Sequence, residues 1–420
     1  MADETLLTDD FLRQLINVGE VDILIGLPTH NNARTIGAIV QTIQAGILRW
    51  FPRDRAVIIN ADGGSRDGTP ELVTGASIDD LRRATNLPAL RTLHSVSTRY
   101  GNSPADAAAL HTILAAAELL QAKACVVVSA ESSSIQSDWL SKLLQPVRAD
   151  SFELVTPVYR RHKFEGLLIN NLLYPMTRAL YGFNIREPYT RDFALSGQFA
   201  ADFLSRNGWG DRANGDGIEL RLTLSALRER RRICQAFLGH REHIEHRGTD
   251  LVPALRHTVG TLFSAMEDDF ATWSTVNSSH PVITHGPEYE VSMEPLRVNR
   301  KRLREMFSTG VAELADVFQQ ILSSATLAEL RRISSQPETD FHYPTELWVR
   351  TVYEFAASHH KSVINRDHVI QAMAPLFRGR ALTFLIENRN SSSEEIEKNI
   401  EALCIEFERQ KPFLVEMWRQ

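Results

Sequence analysis

Residues 22–28 read Asp-Ile-Leu-Ile-Gly-Leu-Pro, a short apolar run that ends in proline and predicts a buried strand. Residues 56–60, Ala-Val-Ile-Ile-Asn, repeat this pattern and lead into a dense cluster of turn formers. Between the two runs, apolar side chains recur at the spacing of one helix face, at Ile36, Ile39, Ile43 and Ile47. The stretch therefore predicts a strand, a helix and a second strand in succession.

The same alternation continues along the chain. Residues 92–96 form a weaker strand pattern, residues 105–122 an alanine-rich helix, and residues 124–129, Ala-Cys-Val-Val-Val-Ser, the clearest buried strand. Alternating strands and helices predict an α/β fold with a mostly parallel sheet and helices on both faces. Ligands of such sheets bind beyond the carboxyl ends of the strands.

Strand patterns nearly vanish after about residue 291. Helical spacing predicts helices over residues 300–322, 345–359, 367–374 and 392–408, the last of which begins with the capping box Ser392-x-x-Glu395. We therefore expect two domains, the sheet domain over residues 1–285 and a helical region over residues 286–420.

The composition indicates which classes of binding partner and which cellular compartment to expect. The 420 residues carry a formal net charge of −6, so no global basic field exists to hold nucleic acid or an anionic membrane. The acidic start lacks the basic region of an export signal, and the apolar runs fall far short of the ~20 residues that span a bilayer. The three cysteines, Cys125, Cys234 and Cys404, are widely spaced and are expected to be buried and reduced. A soluble, cytoplasmic protein is the expectation.

Two polar turns follow the first two predicted strands. They read Leu27-Pro-Thr-His-Asn-Asn and Asp62-Gly-Gly-Ser-Arg-Asp-Gly-Thr, and neither contains the glycine fingerprint of dinucleotide-binding proteins or of a P-loop. Small polar residues leave room there for a flat ligand, and Asp62 can accept hydrogen bonds from a base or a ribose. Each turn alone favours an ordinary surface turn built from good turn formers, but two at consecutive strand ends favour a binding site.

The two turns resemble the nucleotide-binding half of GT-A-fold glycosyltransferases, which begins with a proline-ended strand and a D-x-x-S-x-D-G-T turn. Other segments resemble the retaining synthases that make glucosylglycerate, glucosyl-3-phosphoglycerate or mannosylglycerate. They are residues 159–166, 170–182, 191–197, 234–239 and 241–243, with 346–350 and 411–418 in the tail. The resemblance thus covers nearly the whole chain. It implies a GT-A fold and retaining transfer of glucose or mannose from a nucleotide sugar to glycerate, phosphoglycerate or a similar hydroxy acid.

The resemblance also implies roles for individual residues. Catalysis is assigned to Asp192 and Glu131, and the metal, Mg²⁺ or Mn²⁺, to Glu131 and His243. The nucleotide-binding residues are Pro28, Thr29, Asn31, Asp62 and Ser65, and the acceptor-binding residues are Arg161, His162, Lys163 and Asn171. The alternatives without a functional role are a salt-bridged surface aspartate for Asp192 and a solvated turn for residues 161–163. A homodimer is a further expectation from the family.

Three segments depart from the family pattern. Ser129-Ala130-Glu131 stands where the family has D-x-D, so one carboxylate remains for a cation that prefers anionic oxygen ligands. Ala105-Asp106-Ala107 stands where the family has Gly-Lys-Gly, which replaces a cation by an anion; Asp106 is then a further candidate metal ligand. Thr190-Arg191 replaces a glycine pair, so a bulky cation lies where the backbone approaches the substrate.

Three hypotheses of function follow from these matches and departures. The first is the glycosyltransferase itself. The second is a non-catalytic relative that keeps the fold as a binding or regulatory subunit, since a fold does not guarantee an activity. The third is an enzyme that acts on a small glycoside or sugar phosphate and needs no cation clamp.

Overall fold

A computed structural model of the chain describes residues 7–75, 92–99, 106–206, 217–241, 251–286 and 299–420. The chain divides into two compact units that interleave in sequence. The first unit comprises Met1–Arg160, Thr190–Ile244 and Val282–Tyr289, and the second comprises Arg161–Tyr189, Glu245–Pro281 and Glu290–Gln420. The domain boundary expected between residues 285 and 286 stays a prediction.

The first unit contains one eight-stranded sheet in the order β3-β2-β1-β4-β6-β5-β7-β8. Its neighbours are parallel except around β6, which runs antiparallel to both β4 and β5. The predicted mostly parallel sheet is therefore confirmed. The strands are β1 (Ile23–Thr29), β2 (Arg55–Asp62), β3 (Thr92–Arg99), β4 (Ala124–Val127), β5 (Leu154–Arg160), β6 (Phe193–Ser196), β7 (Ile233–His240) and β8 (Thr284–His285).

Helices cover both faces of the sheet, as predicted. On one face, Ile23, Ile25 and Leu27 of β1 share a buried core with the helices Ile36–Trp50 and Asp138–Ala149. On the other face, a Cβ on Gly26 would lie 2.5 Å from the Ile113 side chain of the helix Asp106–Leu119, so the missing side chain lets this helix lie close to β1. The unit also contains the helices Asp9–Val18, Gly197–Arg206 and Ile218–Arg228.

The regular secondary structure described in the second unit is helical. The final helix, Ser393–Arg419, begins with the predicted capping box, in which the Ser392 hydroxyl accepts from the Glu395 N–H and the Glu395 carboxylate accepts from the Ser392 N–H. The other α-helices are Tyr174–Tyr181, Val252–Leu255, Thr261–Asp268, Phe270–Trp273, Arg300–Glu313, Ala315–Ile321, Ser324–Ser334, Thr345–Lys361 and Arg366–Glu387. The described residues of this unit also form two short π-helices, Ile169–Leu173 and Arg256–Gly260, and a 3₁₀ helix, Glu338–Asp340.

One helix runs much further than its sequence predicts. The expected helix ends at Ala374, before Pro375, but the observed helix is Arg366–Glu387. A Cβ on Gly310 would overlap the ring of Pro375, and a Cβ on Gly379 would overlap Phe307. Close packing against the helix Arg300–Glu313 thus outweighs the local cost of a proline inside the helix.

The same helix is the one described segment long and apolar enough to cross a membrane by length and composition. Of its most apolar window, 83% is buried inside the protein, which is typical of a core helix.

The three cysteines are buried free thiols, as predicted, and burial raises the pKa of each thiol to about 12.

The junction between β6 and the helix that follows it gives a test of the fold. A Cβ on Gly197 would overlap the backbone carbonyl oxygen of Ala122, and the Gly197 N–H donates to the Lys123 carbonyl at 3.0 Å. We expect Gly197→Ala to lower the free energy of unfolding by about 3 kcal/mol, because backbone atoms must move to relieve the overlap. Denaturant unfolding measures the change.

Gly37→Ala is the matched control, because no atom lies within 4 Å of the Cβ it would add in the helix Ile36–Trp50. It should leave stability unchanged or raise it by up to about 1 kcal/mol, since alanine is the better helix former. Equal stability of the two variants would contradict the described packing at Gly197.

Candidate functional site at the carboxyl edge of the sheet

The turns after β1 and β2 lie side by side. The parallel register pairs Thr29 with Asp62, so the ends of the two strands coincide. The Thr29 hydroxyl lies 2.7 Å from Asn60 Oδ1 and 3.0 Å from Asp62 Oδ1, within reach of both acceptors. All three side chains are buried. The first two predicted nucleotide-binding segments therefore share one edge of the sheet.

Asp62 shapes the turn that follows it. Its Oδ2 accepts from the N–H groups of Gly64 at 3.0 Å and Ser65 at 2.8 Å, and its Oδ1 accepts from the Ser65 hydroxyl at 2.5 Å. A carboxylate that bonds the backbone two and three residues on stabilises a turn. In this structure Asp62 thus directs its oxygens to its own turn and to Thr29.

Hydrogen bonds lock the two turns together. The Asn31 N–H donates to Ser65 Oγ at 2.8 Å, and the Arg66 N–H donates to Asn31 Oδ1 at 3.0 Å. Asn31 adopts a left-handed conformation with φ of 57°, which asparagine tolerates better than most residues. The structure therefore brings together Pro28, Thr29, Asn31, Asp62 and Ser65, whose role in nucleotide binding stays a prediction.

Asp67 extends this platform. Its Oδ2 accepts from the Ala33 N–H at 2.9 Å and its Oδ1 accepts from the Thr69 hydroxyl at 2.6 Å. The hydrogen bond from Thr69, followed by that from Ala33, holds the pKa of the Asp67 carboxyl below its ordinary value. The second aspartate of the D-x-x-S-x-D-G-T turn is thus charged and structural.

Asp192 occupies the centre of the neighbouring edge. Because Phe193 pairs with Val127, the residue before β6 lies beside the residues that follow β4. Asp192 Oδ1 accepts from the Ser129 N–H at 2.9 Å, its Oδ2 accepts from the Tyr159 hydroxyl at 2.6 Å, and the Ser132 hydroxyl lies 3.2 and 3.3 Å from the two oxygens. The side chain is fully buried. Its catalytic role stays a prediction, and its contacts position the loop after β4.

Arg241 and Tyr159 join this cluster, although sequence reasoning did not select them. An Arg241 guanidinium nitrogen lies 3.9 Å from Asp192 Oδ2, and its guanidinium carbon lies 4.8 Å above the Tyr159 ring. Both residues lie at strand ends, since Arg160 of β5 pairs with His240 of β7. That position in a parallel sheet was the signal available in the sequence.

Glu131 pairs with an arginine. Its Oε2 lies 3.5 Å from Arg191 Nη1, and the two side chains are 42% and 36% exposed. The loop around it is ordered by the Thr35 hydroxyl, which donates to the Ala130 carbonyl at 2.6 Å. The predicted carboxylate is therefore at the expected strand end, with a cation beside it.

The described residues at this place do not fit a divalent cation. Ser129 Oγ accepts a hydrogen bond from the Glu131 N–H at 3.3 Å, and the one exposed carboxylate already faces the Arg191 guanidinium. Across the described ranges, which omit His243 and Ala105, no group of three histidine, cysteine or carboxylate side chains is placed to hold a metal ion. Mg²⁺ and Mn²⁺ prefer several anionic oxygens, so a lone carboxylate paired with arginine is a poor donor set. The further candidate ligand, Asp106, is the first residue of the helix Asp106–Leu119, and its role as a metal ligand stays a prediction.

The predicted acceptor residues lie in the second unit, where two of them make strong internal contacts. Arg161 forms a bidentate ion pair with Glu187, with N···O distances of 2.8 and 2.9 Å. The buried Lys163 ammonium donates to the carbonyls of Asn388 at 3.1 Å and Arg389 at 2.9 Å. Burial lowers the pKa of Lys163 from its ordinary value. Both cations thus contribute to the structure of this unit.

The other two predicted acceptor residues, His162 and Asn171, are also buried. The Phe164 N–H donates to His162 Nδ1 at 3.1 Å. The Asn171 amide donates to the Leu167 carbonyl at 3.1 Å, and its oxygen accepts from Arg380 Nε at 3.1 Å. The acceptor-binding role of all four residues stays a prediction.

No protein-family model and no curated protein matches the chain. Solved structures of glucosyl-3-phosphoglycerate synthase from Mycobacterium tuberculosis are similar to it. The complex with phosphoglyceric acid is 17% identical, with a TM-score of 0.41 and coverage of 64% of this chain and 85% of that chain. The complex with Mg²⁺ and uridine-diphosphate is 16% identical, with a TM-score of 0.42 and coverage of 62% and 83%. This synthase is of the type that the sequence motifs resemble.

The buried Asp192 carboxylate provides a test of the site's organisation. Asp192→Asn places an amide N–H₂ among donors that need an acceptor, so we expect the free energy of unfolding to fall by about 2–3 kcal/mol. Denaturant unfolding measures the change. Glu131→Gln removes the same charge from an exposed pair and should cost less than about 0.5 kcal/mol. If Asp192→Asn left the free energy of unfolding unchanged, that result would contradict the described hydrogen bonds.

Proposed function

We propose that this protein is a retaining glycosyltransferase. In the proposed reaction, glucose or mannose passes from a nucleotide sugar to the hydroxyl of glycerate, phosphoglycerate or a similar small hydroxy acid. The observation that carries the proposal is the hydrogen-bonded pair of turns after β1 and β2, which forms one polar platform at the carboxyl edge of a parallel sheet. That edge is where open α/β sheets bind nucleotides.

The proposed reaction is an exchange of two bonds at the anomeric carbon of the sugar. The bond from this carbon to the diphosphate oxygen breaks, a bond to the acceptor oxygen forms on the same face, and the acceptor's proton leaves with the diphosphate. Pro28, Thr29, Asn31, Asp62 and Ser65 form the proposed nucleotide platform. Catalysis would come from positioning the two reactants and from stabilising the charge that develops on the departing diphosphate.

Further expectations belong to this proposal. The acceptor's anionic group would be recognised by Arg161, His162, Lys163 and Asn171, and Asp192 and Glu131 would act at the reacting sugar. A homodimer stays a prediction from the resemblance, and a cytoplasmic location stays a prediction from the composition. The Mg²⁺ or Mn²⁺ expected at Glu131 and His243 is not part of the proposal, because Glu131 pairs with Arg191 and the described residues there do not fit a cation.

A non-catalytic binding protein is the second candidate. It is favoured by the full burial of Asp192 and by the ion pair of Glu131 with Arg191. A protein of this kind would retain the polar platform and bind a nucleotide without transferring its sugar. The glycoside-acting alternative would bind a sugar or sugar phosphate with no nucleotide.

Transfer assays separate these candidates. The purified chain is incubated with UDP- or GDP-linked glucose or mannose and with glycerate or 3-phosphoglycerate, and products are followed by NMR. We expect one donor and acceptor pair to yield a glycoside with the anomeric configuration of the donor. Nucleotide binding without product would support the binding protein, and turnover of a glycoside without nucleotide would support the glycoside-acting enzyme.

Ser65→Ala tests the platform itself. It removes the hydroxyl that joins Asp62 to the Asn31 N–H, so we expect kcat/KM to fall by about tenfold or more through misplacement of the donor. The matched control is Ser205→Ala, which removes an exposed hydroxyl that bonds only the Asp202 carbonyl within the described contacts. Equal activity of the two variants would contradict a role for the platform.

A further inference from the structure

The ends of four strands gather positive charge at one place on the sheet. β4 and β6 bring residues 129–132 beside residues 190–192, and β5 and β7 end together at Arg160 and His240. The described residues there carry three arginines, Arg160, Arg191 and Arg241, and two carboxylates, Glu131 and Asp192. This edge is therefore able to attract an anion without help from a metal ion.

Arg191 is held in a defined position. The Thr190 hydroxyl oxygen accepts from the Asp192 N–H at 3.2 Å and lies 3.1 Å from the Asp192 carbonyl oxygen. These contacts close a tight turn around Arg191, and Glu131 Oε2 lies 3.5 Å from its guanidinium. The Arg191 side chain as a whole is 36% exposed.

Arg241 is restrained in a different way. Its guanidinium lies above the Tyr159 ring, and the Tyr159 hydroxyl donates to the same Asp192 carboxylate that lies 3.9 Å from Arg241. A restrained guanidinium loses less entropy on binding than a free one. Planar guanidinium groups bind phosphate oxygens through two parallel hydrogen bonds and keep their charge at any physiological pH.

We propose that this chain binds the diphosphate of its nucleotide through Arg191 and Arg241, in place of a divalent cation. The inference rests on the proposed function, because it names how that same site holds its donor. Arg191 offsets the charge of Glu131, which would otherwise repel the diphosphate. A divalent ion at Glu131 would meet the positive charge of Arg191 beside it.

Calorimetric titration of the full chain tests the inference, with UDP and GDP as probes in EDTA and, separately, in Mn²⁺. We expect at least one nucleotide to bind equally well in EDTA and in Mn²⁺, and to bind more weakly at high salt. Arg191→Ala should weaken binding by about tenfold or more, since it removes charge-assisted hydrogen bonds. The nucleotide affinity of Arg191→Lys should lie between those of the unaltered chain and of Arg191→Ala, because lysine keeps the positive charge but lacks the planar guanidinium.

Arg49→Ala is the matched control. Arg49 lies in the last turn of the helix Ile36–Trp50, which runs about 22 Å away from the carboxyl end of β1. It should bind nucleotide as the unaltered chain does. Thermal unfolding of each variant identifies any loss of fold, and Arg191→Lys keeps the test valid if Arg191→Ala proves unstable.

The outcomes separate the inference from the proposed function. Binding that requires Mn²⁺, or binding in EDTA that Arg191→Ala and Arg191→Lys leave unchanged, would overturn the arginine site and leave the nucleotide-dependent function standing. If neither nucleotide binds under either condition, the proposed function fails and the inference fails with it.

Discussion

A buried carboxylate connects the ends of three strands in the first unit. Asp192 precedes β6, and its oxygens accept hydrogen bonds from the Ser129 N–H after β4 and from the Tyr159 hydroxyl of β5. A carboxyl group buried inside a protein is stable only when hydrogen-bond partners surround it. The positions of the loop after β4, of the Glu131 carboxylate it carries and of Arg191 therefore all depend on this one cluster.

The cluster also orders the segment Ser129-Ala130-Glu131. Ser129 contributes its backbone N–H to Asp192, which any residue type except proline could do, so this anchor of the loop does not depend on the side chain at position 129. Glu131 faces Arg191 at the surface of the same loop. Glu131 thus has a cation beside it from the neighbouring strand end, and the two charges of this pair offset each other.

Local patterns predicted much of the fold. The strands β1, β2 and β4, the helix Ile36–Trp50 and the capping box at Ser392 follow from short-range signals, since apolar periodicity and capping act within a few residues. Pro375 shows where such signals fail. Its local cost is real, but the glycines at 310 and 379 allow two helices to approach closely, and packing carries the helix to Glu387.

The amino-acid sequence by itself determined the alternation of strands and helices, the two polar turns after β1 and β2, the buried thiols and the segments that resemble known synthases. Only the tertiary structure decided which charged groups meet. Lys163 bonds carbonyls at Asn388 and Arg389, and Arg241 reaches Asp192, because helix packing and strand order join residues far apart in the chain. Periodicity reports which face of an element is buried, whereas strand order and register determine which strand ends become neighbours.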